Sequence, residues 1–84
     1  MPHFDQPGGV LLAERLFAEA FPRGREERSE EYLDGVKAFL MYVFAAHPIR
    51  CTFPVASARR DAFYSGIVEG KHIARREQNA RRED

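Results

Sequence analysis

Apolar positions recur along this chain at helical spacing in three separate stretches. In the first, Val10, Ala13, Phe17, Ala20 and Phe21 fall on one stripe, joined by Leu12 and Leu16, while Glu14, Arg15 and Glu19 fall opposite. That pattern predicts a helix from about Val10 to Phe21, ended by Pro22 and Gly24. The second stretch carries Tyr32, Leu33, Val36, Phe39, Leu40, Val43 and Phe44, and predicts a helix from Glu30 to about Ala46. Ser29 fits its N-cap, and Glu30 and Glu31 suit the positive end of the helix dipole. Pro48 disfavours helical geometry at His47 and stops it. The third helix is expected from Ala58 to about Ala74, with Ser57 as its cap.

The segments between them read as breaks. Pro2, Pro7, Gly8 and Gly9 make residues 1–9 a loose arm. PRGREER, residues 22–28, is a polar linker, and PIRCTFPVAS, residues 48–57, is a connector whose Ile49, Phe53 and Val55 can pack down on the core. RREQNARRED, residues 75–84, has mixed charge and no apolar stripe, so it is a charged tail that either continues the helix in solvent or frays.

Two features decide how the helices are expected to pack. From Ala38 to Ala46 the only polar group is the Tyr42 hydroxyl, so the second helix is apolar all round and belongs in the centre, or is covered on its outer side by a second copy of the chain. On the third helix, Ala62, Gly66 and Gly70 recur every four residues and stack along one side. A glycine inside a helix costs roughly 0.5–1 kcal/mol relative to alanine, so two need a reason, and close approach of another element supplies one. The expectation is an all-α, single three-helix domain over residues 1–84, with the second helix central and packed antiparallel on the third through the Ala62/Gly66/Gly70 face. The Gly66–Gly70 spacing also occurs in membrane helix dimers, but those need about 20 apolar residues, and Glu69, Lys71 and the arginines deny them.

Charge adds a division that the apolar pattern does not show. The 84 residues carry no net charge, yet residues 1–42 hold 5 Lys/Arg against 8 Asp/Glu, and residues 43–84 hold 8 against 5. Any affinity for nucleic acid is therefore local to the C-terminal half and sensitive to salt. Arg59 and Arg60 open the third helix against the preference of its dipole, either to meet the acidic start of the second helix or to serve a binding surface with Lys71, Arg75, Arg76, Arg81 and Arg82. A single cysteine, Cys51, allows no internal disulfide, and no run approaches membrane-spanning length or the shape of a signal peptide, so a cytoplasmic setting is expected.

No catalytic constellation appears. Asp61, Tyr64 and His72 share no clear helical face, Cys51 has no base partner, and no His/Cys/Asp/Glu cluster has metal-ligand spacing. The expectation is a non-enzyme with no metal, cofactor or small-molecule substrate.

Tyr32 and Gly35, then Cys51, Phe53 and Pro54, then Arg60, Phe63, Gly66 and Gly70 together resemble the ribosome modulation factor family of small bacterial proteins and its CrpP-like relatives. The resemblance covers residues 30–75. The connector departs from that family's Cys-Pro-aromatic order by reading CTFP, Phe63 stands where tryptophan is usual, and the first helix is extra. The resemblance implies a helix–connector–helix unit that binds ribosomal RNA or the small ribosomal subunit and damps translation. It would set Arg59, Arg60, Lys71, Arg75 and Arg76 against phosphates and Phe53 or Tyr64 against an exposed base. Gly35, Gly66, Gly70 and Ala62 would serve helix packing. The neutral charge and the very apolar second helix leave another reading open: a stoichiometric protein–protein inhibitor or adaptor, such as a phage-type anti-defence antagonist, with a homodimer through the second helix as a further expectation.

Overall fold

The structure, a computed structural model, describes residues 8–25 and 27–82. It contains three helices: α1, Gly8–Ala20; α2, Glu30–Ala45; and α3, Ala58–Arg82. Most of the expected arm, residues 1–7, and the end of the tail, residues 83–84, lie outside the described residues.

Local chemistry explains the helix ends. Ser29 adopts an extended backbone and its side chain accepts from the Tyr32 amide at 3.2 Å, with Glu30 and Glu31 in the first turn. Ala46 takes a left-handed conformation (φ 58°), and the His47 amide closes on the Met41 carbonyl, ending α2 just before Pro48. At α3, Ser57 Oγ accepts from the Arg60 amide at 3.1 Å and donates to the Pro54 carbonyl at 2.7 Å, so one hydroxyl caps the helix and anchors the connector. Gly8 and Gly9 belong to α1 rather than to the arm, and residues 75–82 continue α3 rather than fray.

Helix α2 is central. Its Val36, Leu40, Val43 and Phe44 are at most 2% exposed, and they join Ala13 and Leu16 of α1 and Ile73 and Ala74 of α3 in one core. Each such large side chain contributes about 1.5–3 kcal/mol by leaving water. Met41 is half-buried and packs against that core, and Ala38 and Ala45 are half-buried as well.

Gly35 and Gly66 set the α2–α3 crossing. A Cβ on Gly66 would collide with the Tyr32 carbonyl, lying 2.9 Å from its carbon and 3.0 Å from the Val36 nitrogen. A Cβ on Gly35 would collide with the Phe63 carbonyl in the same way, 2.9 Å from its carbon and 3.1 Å from the Ile67 nitrogen. The two contacts mirror each other: each glycine faces the carbonyl of the residue three before its counterpart. The α-hydrogen in the Cβ direction points at that oxygen, the arrangement of a weak Cα–H···O contact. Gly70 packs beside them against Phe39, and Ala62 is half-buried at the edge.

The direction of this packing corrects the antiparallel expectation. Gly9 of α1 sits on Phe44 and Ala45 at the end of α2, and Lys37 lies over the Phe17 ring, so α1 runs opposite to α2. Arg15 reaches Glu77 at 3.9 Å while Arg25, beyond the end of α1, reaches Glu69, so α1 also runs opposite to α3. Helices α2 and α3 therefore share a direction, and their contacts climb together from Gly35 on Phe63 to Phe39 on Gly70. The physical reason is the connector. Residues 46–57 can span about 40 Å when extended. The 16 residues of α2 are about 24 Å long. The chain can thus return to the starting end of α2 before α3 begins, where Phe53 meets Phe63 edge-on at 6.0 Å.

Candidate interaction surface

Helix α3 sorts its cations onto two sides. Glu77 takes Arg81 at 2.7 Å and Arg15 at 3.9 Å, and Glu69 takes Arg25 at 3.1 Å, so three arginines near the side turned toward α1 are paired with acids of α3. Arg81, expected on the basic surface, is therefore committed to Glu77. Arg60, Tyr64, Lys71, Arg75 and Arg82 follow one another in steps of four and seven residues, the repeat that holds one helix face. That face is about 33 Å long from Arg60 to Arg82. Tyr64, Lys71, Arg75 and Arg82 on it are exposed, and Arg60 is half-buried. Neither Glu69 nor Glu77 lies on it, and Asp61 flanks only its start. Among the described residues, none of Arg60, Lys71, Arg75 and Arg82 forms an ion pair.

The remaining predicted residues fall elsewhere. Arg59 is exposed but turned about 100° from Arg60 around the helix. Arg76 lies on the α1 side, lining a cleft with Tyr32, Glu69 and His72. Phe53 is half-buried against Phe63. Neither Arg59 nor Arg60 reaches the acidic start of α2. Arg60 instead places its guanidinium 5.2 Å from the centroid of the Tyr64 ring, with a long contact of 3.5 Å to its hydroxyl.

One polar cluster was not legible as such in the sequence. Arg25, in the linker, bonds both Glu69 carboxylate oxygens and the Ala20 carbonyl, and its guanidinium lies 4.2 Å from the centroid of the Phe21 ring. Tyr32 donates its hydroxyl to the same Glu69, and Arg28 lies over the Tyr32 ring. Three elements are tied at one carboxylate. The sequence shows Glu69 only as one of three acids on a predominantly basic helix. Burial raises the Tyr32 phenol above its ordinary value, and its bond to Glu69 adds to this. For Glu69, burial acts upward, but the hydrogen bonds from Tyr32 and Arg25 outweigh it and hold the carboxyl below its ordinary value. A depressed carboxyl stabilises the fold above its unfolded pKa, and that contribution is lost as pH falls through the folded value. Thermal melts of Glu69→Gln are therefore expected to show a loss of about 1–2 kcal/mol at pH 7 and a flatter decline than the parent in acid below about pH 4.5. Parallel acid profiles would show that this cluster does not set the acid response.

Among the described residues, no helix is long and apolar enough to cross a membrane, and no group of three or more His, Cys, Asp or Glu residues could hold a metal ion. Cys51 is free and half-buried. The chain matches no family model, no curated protein and no solved structure. Tyr32, Gly35, Phe63 and Gly66 meet at one point, the α2–α3 crossing.

Proposed function

We propose that this is a small non-catalytic binding protein that associates with ribosomal RNA through the outer face of α3, acting as a ribosome-associated modulator of translation like the family it resembles. The observation that carries the reading is the row of Arg60, Lys71, Arg75 and Arg82 with Tyr64 on a face free of Glu69 and Glu77. With zero net charge over the whole chain, attraction to a polyanion rests on local groups of cations such as this row.

The test is anisotropy titration of a labelled small-subunit ribosomal RNA fragment over a range of salt. Four phosphate contacts give a slope of log affinity against log salt of about −3. Lys71→Glu combined with Arg75→Glu should weaken binding at least tenfold at low salt and reduce that slope by about 1.5. Unchanged affinity and slope would overturn the reading. Tyr64 and Val68, 44% and 50% exposed one turn apart, favour a second reading, an inhibitor or adaptor that covers a protein target. A salt-resistant one-to-one complex with a single protein, together with no RNA binding, would establish that reading instead.

A further inference from the structure

Resting on that RNA reading, we infer that the outer face of α3 takes single-stranded RNA, with one unpaired base stacked on Tyr64 and the following backbone tracked by Lys71, Arg75 and Arg82. Tyr64 is built as a platform. Its ring meets Phe63 edge-on at 5.7 Å and an interplanar angle of 89°, and the Arg60 guanidinium lies 5.2 Å from its centroid. These contacts restrain the ring before any ligand arrives, so little side-chain freedom is lost on binding. The residue nevertheless remains 44% exposed. Val68, 50% exposed one turn further on, adds an apolar wall beside it.

The other aromatic candidate does not offer this. Phe53 also meets Phe63 edge-on, but it is half-buried where Tyr64 is exposed. The cations continue in one direction from Tyr64. Lys71, Arg75 and Arg82 lie about 10, 17 and 27 Å further along the axis. A single row of cations beside one aromatic suits one strand, because a base reaches an aromatic face only when it has left its own stack. A duplex offers the row its phosphates but nothing for Tyr64.

The experiment compares a fluorescein-labelled purine-rich 12-nucleotide RNA, the same RNA annealed to its complement, and the same RNA carrying one abasic position, all at low salt. The parent protein should prefer the single strand by about tenfold. Tyr64→Leu should lose about tenfold on the single strand and nothing on the duplex, and Tyr64→Phe should bind like the parent. Melting temperatures measured alongside should coincide for Tyr64→Phe and fall by only a few degrees for Tyr64→Leu, which loses the ring contacts to Phe63 and Arg60 but no part of the core. Equal affinity for both forms, with Tyr64→Leu indistinguishable from the parent, overturns the stacking inference and leaves the RNA reading standing. Binding to neither form overturns the RNA reading and this inference with it.

Discussion

Gly66→Ala is expected to unfold the protein or to leave it at the edge of folding, and Gly35→Ala to do the same. In an open helix either change would gain up to about 1 kcal/mol, because alanine is the better helix former. Here the new methyl group must occupy the space of a backbone carbonyl, Tyr32 for Gly66 and Phe63 for Gly35. A carbonyl in the middle of a helix cannot rotate away as a flexible side chain can. Relief requires α2 and α3 to separate along the crossing that buries Val36, Phe63 and Ile67. Overpacking of this kind costs typically about 1–3 kcal/mol and more where the neighbour is rigid. An 84-residue chain has about 5–10 kcal/mol in all. Urea titration followed by circular dichroism is the measurement, with Gly8→Ala as control. Gly8 has nothing within 4 Å of its missing Cβ, so that variant should be as stable as the parent or slightly more so. Equal midpoints for Gly66→Ala and Gly8→Ala would mean that the two helices are not in backbone contact.

Phe44→Ala is expected to cost about 3–5 kcal/mol. Its side chain is 1% exposed and belongs to the core that all three helices share, and its carbonyl is also the surface on which Gly9 sits. Removing the ring leaves a cavity where α1 joins α2. The Phe44 backbone that Gly9 touches stays in place, so α1 cannot simply close the gap. The denaturant midpoint should fall while the slope stays unchanged if the remaining core is intact. Leu11→Ala is the contrast. Leu11 is 69% exposed, and its loss should change stability by less than about 0.5 kcal/mol. A Phe44→Ala variant as stable as Leu11→Ala would place the core elsewhere.

How much of this could be read in the chain varies by residue. The Ser29 and Ser57 caps were legible because each is a hydroxyl just ahead of a helical pattern, and capping is a local event. Gly66 and Gly70 were legible as a face needing a close neighbour and Gly35 as a further packing glycine, though the groups they meet, the Tyr32 and Phe63 carbonyls and Phe39, were not. Gly8 and Gly9 misled in the other direction. Glycine lowers helix propensity, but tight seating of Gly9 on Phe44 outweighs that local cost. Residues 75–82 stay helical although they lack an apolar stripe, with Glu77 bonded to Arg81 one turn on and to Arg15 across to α1.

The candidate surface divides along the same line. That α3 is basic followed from composition, but which of its cations are available did not. Arg81 has Glu77 one turn before it, a spacing the chain shows, whereas the reach of Arg15 on α1 to the same Glu77 is visible only in the fold. Arg25 reads as one charge in a polar linker until Glu69, 44 residues away in sequence, comes within 3.1 Å of it.

Periodicity, caps and proline positions, all of which act within a few residues, determined by themselves that this protein is three helices with α2 at the centre. Only the tertiary structure decided that α2 and α3 run in the same direction, that two glycines set their crossing, and that Arg25 reaches Glu69 and Arg15 reaches Glu77 on α3. Those outcomes depend on contacts between residues far apart in sequence and on where a long connector returns the chain. Local spacing carries no record of either.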